Sequence, residues 1–162
     1  MTFNIPVEAV RFGFETEGLG AHSSRTIMLS ELRLLLAACP PDASFEDFRK
    51  AIIEDNILLK QTDSTRAESV RRLRELYGLT PQLTIFHALL DLWSFEPNAQ
   101  PILALLGALT RDPVLRATAD AIFTSLSGQL VTPQIISKAA QNHFPTLNPT
   151  TLANIGRHAA SS

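Results

Sequence analysis

Four histidines and one cysteine are the residues of this chain best suited to bind a metal, shuttle a proton or act as a nucleophile. His22, His87, His143 and His158 are scattered, and none sits at metal-ligand spacing from Cys39 or from another histidine. His87 and Asp91 are four apart and meet on one face of any helix that contains them. That spacing suits a general base with its orienting carboxylate, and equally an ordinary surface hydrogen bond. Cys39 precedes Pro40-Pro41, at the end of an expected helix. Reactive thiolates favour helix N-termini instead, so Cys39 reads as a small, half-buried apolar residue. There is no glycine-rich phosphate loop and no paired-carboxylate motif. The sequence therefore assigns no catalytic residue, no metal ligand and no cofactor.

Charge offers a different chemistry. Lys60, Arg66, Arg71, Arg72 and Arg74 crowd one stretch, with Arg49 and Lys50 on the preceding element. Such a cluster can hold phosphates, or it can be a solvated face neutralised by Glu68 and Glu75 at helical spacing. Arg71 and Arg74 are three apart and share a side of the helix, whereas Arg72 falls on the opposite flank, nearer Glu68. Lys60 lies just before the expected helix start, where backbone N–H groups favour an anion. Arg66 projects toward the apolar side of its helix, so capping a neighbouring helix or pairing with a buried carboxylate is its alternative role. A second polar surface lies on residues 149–160, which carry Thr150, Thr151, Asn154, Arg157 and His158. With residues 133–143 they form a helix-turn-helix-like pair.

The elements that must position these groups are helices. Periodicity and caps predict them at about 26–39, 45–56, 66–78, 81–94, 98–110, 113–126, 133–143 and 149–160. Thr80-Pro81, Asp112-Pro113, Thr132-Pro133 and Asn148-Pro149 each look like an N-cap followed by proline at the first helical position. Ser44 is a further expected cap, and Thr65 with Glu68 has capping-box spacing. Residues 81–94 and 98–110 are apolar nearly all round, which predicts a buried central pair. Alternation around Val10 to Phe14 suggests a short extended piece, as does Leu130-Val131. The expected organisation is an N-terminal arm over 1–24, a helical bundle over 25–110 and a C-terminal subdomain over 111–162. In sum this is an all-α, compact bundle of about seven or eight helices.

Composition bounds the rest. A chain of 162 residues with 45% hydrophobic and 19% charged side chains can bury a core of its own. The lone cysteine allows no internal disulfide, which points to a reducing compartment. No signal peptide and no apolar run long enough for a bilayer is present, so a cytoplasmic setting with no membrane partner is expected. Net charge is −2, which argues against a strongly basic nucleic-acid binder, yet the charges are segregated. Residues 49–75 carry seven basic and five acidic side chains, while residues 76–110 carry no Lys or Arg.

Several segments resemble the BrxA family of the BREX bacteriophage-defence systems. They are Asn56-Ile57-Leu58-Leu59-Lys60-Gln61-Thr62 with Ser64-Thr65-Arg66, Leu89-Leu90-Asp91-Leu92-Trp93, and Pro101-Ile102-Leu103-Ala104-Leu105-Leu106. Arg111-Asp112-Pro113-Val114-Leu115-Arg116-Ala117-Thr118 and the ending from Asn154 to Ser162 also fit. The resemblance covers about residues 25–162. It implies a cytoplasmic, NusB-like helical bundle that is not an enzyme and binds DNA. It also implies a longer chain, so either the C-terminal subdomain is incomplete or this member is a short one. The expected partner is double-stranded DNA, bound weakly and with little sequence preference through Lys60, Arg66, Arg71, Arg72, Arg74, Arg157 and His158. Other BREX proteins are further expected partners, and a homodimer is compatible. The alternatives are a protein–protein adaptor acting through an apolar patch and an RNA-binding antitermination-like factor.

Overall fold

The computed structural model describes residues 5–18 and 25–161. Its α-helices are α1 Leu29–Ala38, α2 Phe45–Ile53, α3 Asp63–Tyr77, α4 Thr84–Trp93, α5 Gln100–Arg111, α6 Pro113–Phe123, α7 Pro133–His143 and α8 Pro149–Ala160. Short 3-10 helices span Val7–Phe12 and Pro97–Ala99. The described residues contain no strand, so the all-α bundle expected from periodicity is the fold observed. The extended piece expected near Val10 is instead the 3-10 helix, and Leu130-Val131 pairs with nothing as a strand. His22 and residues 19–24 of the expected arm lie outside the described residues.

Three of the four Xaa-Pro signals start helices as expected. Asp112, Thr132 and Asn148 accept the backbone N–H of Leu115 at 2.9 Å, Ile135 at 3.4 Å and Thr151 at 2.9 Å. Ser44 caps α2 in a reciprocal box with Asp47, whose carboxyl is held below the usual range chiefly by the Ser44 hydrogen bonds. Caps of this kind each contribute about 1 kcal/mol.

Two signals misled. Thr80-Pro81 starts no helix: Leu83 N–H closes a turn onto Thr80 O at 2.9 Å, and α4 begins at Thr84. Packing decides this, because Leu83 lies so close against Gly13 and Gly78 that a Cβ at either would fall within 2.7 and 2.4 Å of it. The box on α3 is also one turn early, formed by Thr62 and Thr65 in place of Thr65 and Glu68. Starting at Thr62 adds a hydrogen-bonded turn, with Arg66 N–H reaching Thr62 O at 3.1 Å.

The main core joins Leu32 and Leu35 of α1, Phe48 and Ile52 of α2, Leu73, Leu76 and Tyr77 of α3, and Phe86 of α4. Phe48 and Phe86 meet edge to face, with ring centroids 5.8 Å apart. The Tyr77 hydroxyl is buried and donates to Ile27 O at 2.5 Å; burial, then the nearby Glu31 charge, pushes its pKa far up. A smaller cluster of Val114, Ala140, Leu152 and Ile155 lies between α6, α7 and α8.

The expectation that α4 and α5 are enclosed on all sides is corrected. α5 buries its small residues, Ala104, Gly107 and Ala108. Close approach explains this: a Cβ on Gly107 would come within 3.0 Å of Leu89 and 3.3 Å of Tyr77. Only small side chains fit that seam, so the bulkier Ile102 and Leu106 are turned outward and are half exposed.

Residues 5–18 are strapped to this framework by two arginines. Arg111 donates to Glu75 O, Gly13 O and Glu15 Oε1, and Arg116 to Leu109 O and Glu15 O. Desolvation lowers the pKa of both guanidiniums.

Candidate interaction surfaces

The cationic stretch folds into a network that neutralises itself. Arg71 donates to both Glu68 oxygens at 2.7 Å and to Glu75 at 3.3 Å. Arg72 donates to the same two carboxylates, each at 2.8 Å. Two arginines thus meet two glutamates on one helix, at i,i+3 and i,i+4 spacing. Glu68 is held below the usual carboxylate range, first by the Arg71 hydrogen bond, and Arg71 is raised by the same bond.

The remaining members are dispersed. Lys60 Nζ turns back to Glu31 Oε1 at 3.0 Å. Its backbone is clamped by Asn56, which accepts its N–H and donates to its carbonyl. Arg66 caps the end of α2 by donating to Ile53 O at 3.0 Å and pairs with Asp63 at 3.5 Å. This is the structural role the sequence offered as its alternative. Arg74 is exposed and lies over the Phe45 ring, 4.3 Å from its centroid, and so diverges from Arg71 instead of sharing its target. An open groove beside the N-terminal turn of α3 is bordered by Arg25, Ser64, Thr65 and Arg71.

The C-terminal pair has a different electrostatic character. α7 and α8 cross so closely that a Cβ on Gly156 would fall 2.3 Å from Pro133 O. Ser137 Oγ lies within hydrogen-bond distance of both Pro133 O and Leu152 O. Residues 121–162 contain Lys138, His143, Arg157 and His158 and no Asp or Glu. Lys138 and Arg157 are exposed, and the Arg157 guanidinium donates to Asn154 on its own helix. His158 is half-buried, less available than its sequence position suggests.

The described nucleophile and base candidates lie on separate elements, Cys39 after α1, His87 on α4, His143 at the end of α7 and His158 on α8. His87 Nε2 stands 3.6 Å from Asp91 Oδ2, both side chains exposed, at the edge of an open groove with Asp42, Gln82 and Ser94. Cys39 is half-buried, and desolvation followed by the Asp47 and Asp55 charges pushes its thiol pKa up. Among the described residues, no three His, Cys, Asp or Glu side chains are grouped to hold a metal ion. No helix among them is long and apolar enough to cross a membrane.

The surface that sequence reasoning missed is apolar. Leu92, Ile102 and Leu106 are each 51% exposed, and Phe95 is 85% exposed. Leu92, Ile102 and Leu106 belong to the two helices whose all-round hydrophobicity suggested burial, and Phe95 lies in the segment that joins them. The signal that marked them was the absence of Lys and Arg from residues 76–110. A second exposed set, Phe123, Leu126 and Leu130, lies at and after the end of α6. Compared with known proteins, the chain is matched by no family model, and no curated protein or solved structure is significantly similar to it.

Proposed function

We propose that this chain is a non-catalytic component of a BREX-type phage-defence assembly and docks another protein on the outer face of α4 and α5. The observation that carries this reading is the exposure of Leu92, Phe95, Ile102 and Leu106. Apolar area left in water costs roughly 25 cal/mol per Å², and exposed large apolar side chains on neighbouring elements mark a candidate interaction surface. The resemblance to BrxA supplies the assembly and the cytoplasmic setting. The test is co-purification of the tagged chain from cells expressing a complete BREX system. Partner proteins stay bound between about 50 and 200 mM salt, where phosphate contacts weaken steeply. Leu106→Asp releases them. Retention by that variant moves the docking surface elsewhere.

Duplex DNA binding is the second reading, and the acid-free C-terminal hairpin favours it. Lys138 and Arg157 have no carboxylate on their own elements to compete with a phosphate, whereas Arg71 and Arg72 must give up Glu68 and Glu75. The sequence by itself favours α3, on Arg71 and Arg74 sharing a side and Lys60 preceding the helix; the ion pairs of Arg71 and Arg72 speak for the hairpin instead. Binding of this kind is weak, sequence-tolerant and strongly salt-dependent. Competition with RNA separates it from an antitermination-like role.

A further inference from the structure

The α4–α5 face specifies its partner further, on the reading that this face docks a protein. Leu89 packs across the seam at Gly107, and Gln100 Nε2 donates to Trp93 O at 3.4 Å. The end of α4 therefore lies beside the start of α5, and the helices run antiparallel. One turn beyond Leu89 is Leu92, and one turn before Gly107 is Leu103, so these two lie at the same level of the antiparallel pair. Ile102 and Leu106, i and i+4 on α5, form the adjoining outward ridge. The pair thus presents a seam flanked by a helical ridge, a shape that accepts a third helix by ridge-into-groove packing.

The charge around this seam has one prevailing sign. Asp91 and Glu96 are exposed next to Leu92 and Phe95, and residues 76–110 supply no Lys or Arg. Arg33 of α1 meets the edge at Gln100, where its Nε donates at 3.0 Å. His87 stands beside Asp91. Among the described residues, Glu96 accepts a local backbone N–H, that of Asn98. A second copy would set Asp91 and Glu96 against an equally acidic face. We propose that the occupant is a cationic amphipathic helix of a partner protein, with Leu-like side chains at i, i+4 and i+7 and Lys or Arg along both edges.

Trp93, the only tryptophan, is buried directly beside Leu92 and reports on this surface. The probes are a synthetic amphipathic Leu/Lys helix and a Leu/Glu helix with the same apolar face. The expected result is a saturable change in Trp93 emission with the Leu/Lys helix, and amide shifts confined to α4 and α5. Ile102→Ser combined with Leu106→Ser weakens binding by about tenfold or more, and Glu96→Lys weakens it severalfold. Equal or tighter binding of the Leu/Glu helix overturns the cationic partner and leaves protein docking standing. Amide shifts outside α4 and α5, or unchanged affinity in the double serine variant, overturn the surface. A sedimentation dimer that the double serine variant dissociates makes a second copy the occupant. Loss of co-purification with every protein of the defence system, with peptide binding intact, sinks the docking reading alone.

Discussion

Arg111 donates from Nη1 to the carbonyl of Gly13 at 2.8 Å, across 98 residues of sequence. The same guanidinium reaches Glu75 O at 3.0 Å and Glu15 Oε1 at 3.1 Å. It ties the N-terminal segment to the junction of α3 and α5. Arg111→Met keeps the aliphatic stem and removes the three bonds, leaving carbonyls short of a donor. The expected loss is about 2 kcal/mol of unfolding free energy, with faster proteolysis within residues 5–18. Unchanged stability and protection would show that Arg116 and the Glu15 N–H bond to Thr110 O hold the segment without Arg111.

Gly156 is the contact point of α7 with α8. Alanine ordinarily favours a helix over glycine by about 1 kcal/mol. Here the added methyl meets Pro133 O, a backbone atom that cannot rotate away. Gly156→Ala is therefore expected to destabilise the hairpin by about 1–3 kcal/mol. Hydrogen exchange should quicken in α7 and α8 while the amides of α1–α3 stay protected. A stabilised variant would mean that the helices separate at little cost.

Tyr77 places its only polar atom on Ile27 O inside the core. Tyr77→Phe keeps the ring and leaves a buried carbonyl without that donor, at an expected cost of about 1–3 kcal/mol by urea denaturation. The phenol should resist ionisation in the folded protein, since burial raises its pKa. A spectrophotometric titration that ionises Tyr77 before unfolding would contradict its placement.

Acid should loosen α3. The Glu68 carboxyl is lowered in the folded protein, first by Arg71, from an unfolded value near about 4.3. A depressed folded value contributes stability that is full above the unfolded value and is lost as pH falls through the folded one. Asp47 behaves likewise through Ser44. The denaturation midpoint is expected to fall below about pH 4.5, and Glu68→Gln should flatten part of that fall. An unaltered slope in Glu68→Gln would assign the acid sensitivity to other carboxylates.

If DNA binding is real, the hairpin should dominate it. In an anisotropy titration at low salt, Lys138→Glu with Arg157→Glu is expected to weaken binding more than Arg71→Glu with Arg74→Glu. The former pair adds acids to a surface that has none, whereas in the latter Arg71 is already held by Glu68 and Glu75 and only the exposed Arg74 stands outside that network. The opposite order would restore α3 as the reader.

Local signals determined where four of the eight described α-helices begin. Ser44, Asp112, Thr132 and Asn148 bond to a backbone N–H three residues ahead, so their effect is contained within one turn of chain. The all-α class followed from such caps and from helical periodicity. Arg66, expected among the DNA contacts, had its structural role legible only as an alternative, from a helical phase that aimed it inward; it caps α2 at Ile53 O. Tertiary structure decided what sequence spacing could not. Leu83, lodged against Gly13 and Gly78, moved the start of α4 past Pro81. Gly107 drew α4 and α5 so close that small residues took the seam and leucine and isoleucine were left to solvent. Glu31 claimed Lys60 from 29 residues away. Cap preferences and helical phase are properties of one turn, whereas exposure and charge pairing depend on which distant side chains the packing brings within reach.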